Sequence, residues 1–470
     1  MKTETQSNFL MVLLAPLMAT VTALLCAFVW QQPYIICATA AITMLTAVWW
    51  VTEALPIPVT SLIPFILFPM FGVLDHKVAA SALGSHVILL LMGAFMLSKA
   101  MEKSGVHQRL ALYLINLFGG NQPKKILFGL MISAAFLSMW ISNTATTLML
   151  LPMVLAIASN ANDRRFGVVL LLGIAYAASV GGIGTLIGTP PNVIFAAVYQ
   201  THFAQEIGFL EWMKTSIPVV ILAIPMMALW LGRGLNKSVE VQLPCVGQWR
   251  LSEKRVLYVF SLIVVLWIFR SEPFGGWSAL LGNRTIGDSS IALFGVLLMF
   301  IVPSHNEVIE GQVQRKYLLD WQTATDIPWG MLLLFAGGIC IAKAFQASGL
   351  SQLLGQSLTA LTHWPTYLMI LVVCLFVTFL TEITSNTATT TLLMPVLAAA
   401  GVAAGIDPKL LMIPAAMSAS CAFMLPVATA PNAIVYGTDK FAIKTMVKEG
   451  VVLNMILAVT ISGYVYYAIK

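Results

Sequence analysis

Two identical hexapeptides, Ser142-Asn143-Thr144-Ala145-Thr146-Thr147 and Ser385-Asn386-Thr387-Ala388-Thr389-Thr390, bring hydroxyls and an amide together. Each lies between apolar runs, with Phe136-Leu137 and Trp140-Ile141 before the first and Leu392-Leu393-Met394 after the second. Short hydroxyl and amide groups at a helix start, together with its free backbone amides, can bind an anion or, through their oxygens, a hard cation. Two further stretches, Gly188-Thr189-Pro190-Pro191-Asn192 and Ala428-Thr429-Ala430-Pro431-Asn432, interrupt apolar segments. Proline removes a backbone donor and breaks a helix, which frees carbonyl oxygens for a cation. Small residues also permit close helix packing. For a single Ser or Gly that is the simpler reading, but a duplicated hairpin-plus-break pattern at membrane depth points to a site.

The elements that must carry these residues follow from composition. With 59% hydrophobic residues, 9% charged and a mean hydropathy of +0.89, the chain is far too apolar for a soluble protein. It reads as an all-α polytopic membrane protein embedded in a lipid bilayer. Hydropathy gives about eleven transmembrane segments, roughly 9–30, 36–55, 59–73, 86–117, 166–199, 214–234, 255–270, 288–303, 328–358, 408–438 and 447–468. The first run reads as a retained helix, since it leads directly into further spans and has no clean cleavage site. Segments 123–160 and 364–404 each hold two short apolar arms around a hexapeptide, and so read as re-entrant helical hairpins.

The repeat extends beyond the hexapeptides. Lys343 follows Lys99 by 244 positions, Ser385 follows Ser142 by 243 and Thr429 follows Thr189 by 240, with Gly93/Gly337 and Gly105/Gly349 in register. Five crossings per copy is an odd number, so the copies are expected to be inverted. This divides the chain into an N-terminal helix (1–35), a first repeat (36–234), a linker (235–254) and a second repeat (255–470). Basic residues such as Lys124, Lys125, Arg164, Arg165, Arg233 and Arg250 gather on one predicted side. The other side has few, among them Lys214, Arg270, Arg284 and Lys409. That bias predicts a cytoplasmic N-terminus and an outer C-terminus, with the first hairpin opening inward and the second outward.

Other residues carry less. The six cysteines lack metal or disulfide spacing, and the dispersed basic residues give no nucleic-acid face. Glu382 stands where the first copy has Met139, and a stabilising hydrogen bond is favoured there over proton coupling. Asp326, ahead of Pro328, reads as an N-cap. An intramembrane hydrolase built on Ser142 or Ser385 lacks an activating base, and a channel fits the duplicated hairpins less well than alternating access does.

The paired Ser-Asn-Thr motifs, the doubled Thr-Pro-Pro-Asn-like breaks, Met424 to Thr429 and Trp49 to Pro56 together resemble the divalent anion/sodium symporters, from about residue 40 to the end. The resemblance implies no enzyme but a secondary transporter that imports C4-type dicarboxylates with at least two Na⁺. It implies an elevator motion, a homodimer and a bacterial inner-membrane location. An exchanger of the same fold is the alternative. The family pattern implies a first Na⁺ site at Ser138, Ser142, Asn143 and the Gly188 backbone, and a second at Thr381, Thr384, Asn386 and the Ala428 backbone. The substrate carboxylates would meet Asn143, Thr144, Asn386 and Thr387, with Thr189 and Thr429 nearby. One departure is Ala430, where the first copy has Pro190.

Overall fold

In hydrocarbon a backbone amide finds no water, so each crossing segment must close its hydrogen bonds within itself, and helices are the outcome. The computed structural model describes residues 2–118, 122–161, 163–235, 247–273, 275–282, 285–309, 312–357 and 364–469. Most of the linker therefore lies outside the described residues. Among those described, eight helices are long and apolar enough to cross a membrane by length and composition, including Tyr34–Thr52, Phe209–Leu231 and Ile443–Ile469. Other expected crossings run in shorter apolar helices, Ile57–Met70, Asp288–Ile301 and Lys409–Ala419. The chain is a polytopic helical membrane protein.

Three details differ from the sequence reading. Segments 86–117 and 328–358 are not continuous helices: His86–Ser104 ends at Gly105 (φ 76°) and Trp329–Ser348 ends at Gly349 (φ 82°). Both glycines adopt the left-handed conformation that stops a helix, and short helices Val106–Phe118 and Leu350–Ser357 follow. A two-stranded antiparallel ribbon, Pro303–Ile309 with Gln312–Tyr317, interrupts the helical architecture, Val308 facing Val313 across it. Asp326 caps no helix start; it closes the short helix Trp321–Thr325 and pairs with Lys99 at 3.0 Å. That partner is 227 residues away, beyond the reach of local capping rules.

Each hexapeptide begins the second arm of a helical hairpin. The first hairpin joins Pro123–Ser138 to Asn143–Ala161, and the second joins Thr366–Leu380 to Asn386–Ala403. Pro152 and Pro395 sit inside the second arms at the same step beyond Asn143 and Asn386. Two broken helices follow: Arg164–Gly181 with Pro190–Phe203, and Lys409–Ala419 with Ala430–Tyr436.

The packing joins the two repeats. The first arms pack on the leading halves of their own broken helices; the second arms do so too and also reach the other repeat, Asn143–Ala161 on Ala430–Tyr436 and Asn386–Ala403 on Pro190–Phe203. His86–Ser104 likewise packs on Asp288–Ile301, and Trp329–Ser348 on Ile63–Met70 and His76–Leu83. These contacts bring the hairpin arms and the broken helices of both repeats together.

Close approach at the first break needs glycine. A Cβ on Gly181 would lie 2.3 Å from both Cα and the carbonyl oxygen of Ala135 in the hairpin arm. Gly181→Ala is therefore expected to cost about 1–3 kcal/mol through overpacking, read as a lowered thermal midpoint in detergent. Gly463→Ala, where a Cβ meets nothing within 4 Å, is the control and should leave the midpoint in place.

Candidate functional site

At the first tip the Ser138 hydroxyl donates to Asn143 Oδ1 at 2.5 Å, closing the turn between the arms. At the second, Thr381 Oγ1 donates to Asn386 Oδ1, also at 2.5 Å, and contacts the Ala419 carbonyl at 3.1 Å. The backbone carbonyls of both asparagines accept the hydroxyl one turn on, from Thr147 at 2.8 Å and Thr390 at 2.7 Å. Each asparagine amide is thus aimed by a hydroxyl of the preceding arm. Its oxygen has a second lone pair for a cation, and its NH2 can donate to an anion.

The first break folds back beneath this amide. A Cβ on Gly182 would lie 2.7 Å from Asn143 Oδ1, 3.0 Å from the Gly188 carbonyl oxygen and 3.2 Å from Thr189 Cβ. Ser138, Asn143, Gly188 and Thr189 therefore converge around Gly182. Two hydroxyls, an amide and a carbonyl are hard oxygen donors suited to an alkali cation, and no thiolate or imidazole is among them. Ser142 is turned the other way: its Oγ accepts from Ala145 N at 3.2 Å as a cap, and the residue is exposed, as is Thr144.

In the second copy Thr381 and Asn386 meet, while Thr384 bonds Thr389 at 2.6 Å and the Leu380 carbonyl at 2.7 Å. Thr387 is buried. Ala428 ends the tight turn Pro426–Ala428, and Thr429 caps the following helix by accepting from Asn432 N at 3.2 Å. Replacing Pro190 by Ala430 leaves the backbone alike, since Thr189 has φ −146°, ψ 145° and Thr429 has φ −143°, ψ 151°. Pro431 still opens the helix, and the Thr429 cap helps fix the turn before it.

Several residues here were not among the expected site residues. Asn192 Nδ2 donates to the Gly182 carbonyl at 3.0 Å and the Thr185 carbonyl at 2.7 Å, and Asn432 Nδ2 to those of Ala422 at 2.9 Å and Leu425 at 3.0 Å. Each asparagine holds its own break closed, and its repetition after Pro191 and Pro431 was the available signal. Ser420 lies 3.4 Å from Thr189 Oγ1 and joins the two breaks, and the Tyr176 hydroxyl donates to the Phe423 carbonyl at 2.7 Å. Nothing in the local sequence marks these partners.

The second break is the more open one: Val427 is 82% exposed and Ile383 of the second tip 72%, whereas residues 181–186 are buried. A cavity of about 820 Å³ lies farther along the first hairpin, lined by Leu155, Ser159, Arg164 and Lys440 among others. Leu155 is roughly 18 Å up the helix from Asn143 at 1.5 Å per residue. That cavity is therefore separate from the oxygen cluster at the tips.

A family profile described as citrate transporter matches residues 47–409. The sodium-dependent dicarboxylate transporter SdcS of Staphylococcus saprophyticus is 40% identical over 451 residues, covering 91% of this chain and 85% of that protein. SdcS of Staphylococcus aureus is 39% identical over 460 residues, covering 93% and 86%. The chain belongs to the divalent anion/sodium symporter family. Like other members of this family it is a transporter and not an enzyme. The crystal structure of the YdaH transporter of Alcanivorax borkumensis aligns with a TM-score of 0.60 at 12% identity, covering 83% of this chain and 87% of that one, which shows a shared fold.

Proposed function

We propose that this symporter-family chain imports C4-type dicarboxylates (succinate, fumarate and malate) together with at least two Na⁺. The observation that carries the reading is the duplicated hydroxyl-to-asparagine bond, Ser138–Asn143 and Thr381–Asn386, at tips set beside broken helices. The first Na⁺ is held by Ser138, Asn143 and the Gly188 carbonyl, with Ser142 joining by turning from its capping bond. The second is held by Thr381, Thr384, Asn386 and the Ala428 carbonyl. Between them the dianion meets Asn143, Thr144, Asn386 and Thr387, with Thr189 and Thr429 at the helix starts. The tips and breaks contain no Lys or Arg, so the bound sodium ions supply the positive charge.

The repeats 36–234 and 255–470 are read as inverted about the site, with the N-terminus cytoplasmic and the C-terminus outside, in a bacterial inner membrane. Hairpins and broken helices move together as an elevator against the remaining helices, and the transporter works as a homodimer. The packing of each second arm on the other repeat supports a single moving unit.

Labelled succinate uptake into proteoliposomes tests the proposal: an inward sodium gradient should drive accumulation into vesicles empty of dicarboxylate. Uptake that needs internal dicarboxylate and ignores sodium would replace import by exchange. Two Na⁺ per dianion is electroneutral, whereas three carry one net charge worth about 2.3 kcal/mol per 100 mV. Each tenfold sodium gradient adds about 1.4 kcal/mol per ion. Uptake is expected to be electrogenic and stimulated by an inside-negative potential set with valinomycin and potassium. A rate indifferent to that potential would leave the two duplicated sites as the sodium inventory.

A further inference from the structure

Both breaks have carbonyls held by side-chain donors, but the second also has three of its backbone amides held by a carboxylate. In the first copy Met139 follows Ser138, and its thioether packs over Gly184, where a Cβ would lie 2.9–3.2 Å from Met139 side-chain atoms. The segment is also held through its carbonyls, with Trp212 Nε1 donating to Ile183 at 2.8 Å and Ser216 Oγ to Gly184 at 3.0 Å, and through the Thr185 hydroxyl, which donates to the Met139 carbonyl. In the second copy the equivalent residues are exchanged for Glu382 and Met424.

Glu382 is 3% exposed, and its carboxylate is surrounded by donors. The amides of Phe423 (2.7 Å), Met424 (2.9 Å) and Leu425 (3.0 Å) and the Asn454 side-chain amide (2.7 Å) all point at it. Four donors on one carboxyl group match an acceptor-only, ionised carboxylate. Among the described residues, salt bridges pair other carboxylates with Lys or Arg, and Glu382 is in none of them. The carboxylate follows Thr381 directly and clamps the strand of backbone that leads to Ala428, so it both orders and polarises one half of the site.

We propose that Glu382 is a positioning residue that makes the second cation site the tighter of the two for Na⁺. It holds the backbone amides from Phe423 to Leu425 and places a negative charge beside Thr381, whereas the first site has the uncharged Met139 at the equivalent position. This rests on the assignment of Na⁺ to the two tips.

The test measures sodium-dependent thermal stabilisation of the purified transporter, with choline balancing ionic strength, and then the sodium dependence of succinate uptake in proteoliposomes. Glu382→Gln keeps the shape and removes the charge. The double substitution Glu382→Met with Met424→Gly rebuilds the packing of the first copy, and it carries the same test should Glu382→Gln aggregate. In either variant the half-saturating sodium concentration is expected to rise about tenfold or more, as loss of a close charge in a poorly solvated site requires. A folded variant whose half-saturating sodium stays within about twofold of wild type overturns the inference, since tenfold corresponds to only about 1.4 kcal/mol of binding energy. So does a fall in maximal uptake without a shift in sodium dependence, which is the mark of a purely structural role. If the wild-type protein itself shows no sodium dependence, the assignment of sodium to the tips fails first.

Discussion

Replacing Asn143 or Asn386 by alanine is expected to lower dicarboxylate uptake at least about 100-fold, because hydrogen bonds to charged groups contribute about 1.5–3 kcal/mol each and, in the proposed site, each amide serves both a cation and a carboxylate. The structure gives the reason for the size of the effect. Each amide oxygen is held at 2.5 Å by a hydroxyl of the preceding arm, and alanine would leave the Ser138 hydroxyl without that acceptor and the Thr381 hydroxyl with only the Ala419 carbonyl at 3.1 Å. Beneath Asn143 the loss also opens space over Gly182 and the Gly188 carbonyl. The measurement is labelled succinate uptake by variants reconstituted at equal density and shown to be monodisperse. Near-wild-type uptake by either variant would remove that tip from the site.

The second large effect is on binding. Succinate affinity, followed by calorimetry, should fall at least about 100-fold when sodium is replaced by choline, since leaving a buried charge unpaired costs several kcal/mol. A dianion among hydroxyls, amides and carbonyls finds donors but no countercharge unless sodium is bound with it. Lithium, smaller and more strongly hydrated, is expected to substitute poorly in a cage built from fixed oxygens. Equal affinity in choline and sodium would show that the charge comes from elsewhere in the protein.

How much of this was legible depended on whether the relevant physics is local. The hairpins were readable because a hexapeptide that interrupts apolar runs has few ways to sit in hydrocarbon, and duplication removed the doubt a single copy would leave. The breaks were readable because Pro190-Pro191 and Pro431 act on their own backbone. The two helix ends at Gly105 and Gly349 were visible as matched residues but not as stops, since a glycine inside an apolar run declares its left-handed φ only once the next helix has a surface to lie on. The ribbon at residues 303–317 escaped for a similar reason, its strands being short and mostly polar.

By itself the sequence determined the class of solvent the protein lives in, the twofold internal repeat, and the residue types at both tips and both breaks. Only the tertiary structure decided which of those residues meet. Asn143 over Gly182, Ser420 against Thr189 and Lys99 with Asp326 join positions that chain order keeps apart. Glu382 is the clearest case. Its sequence position says only that a carboxyl group follows Thr381, whereas packing sets four donors around it from a break and a helix forty to seventy residues on. A buried charge is tolerable only where folding has assembled its partners, and that assembly depends on the third dimension.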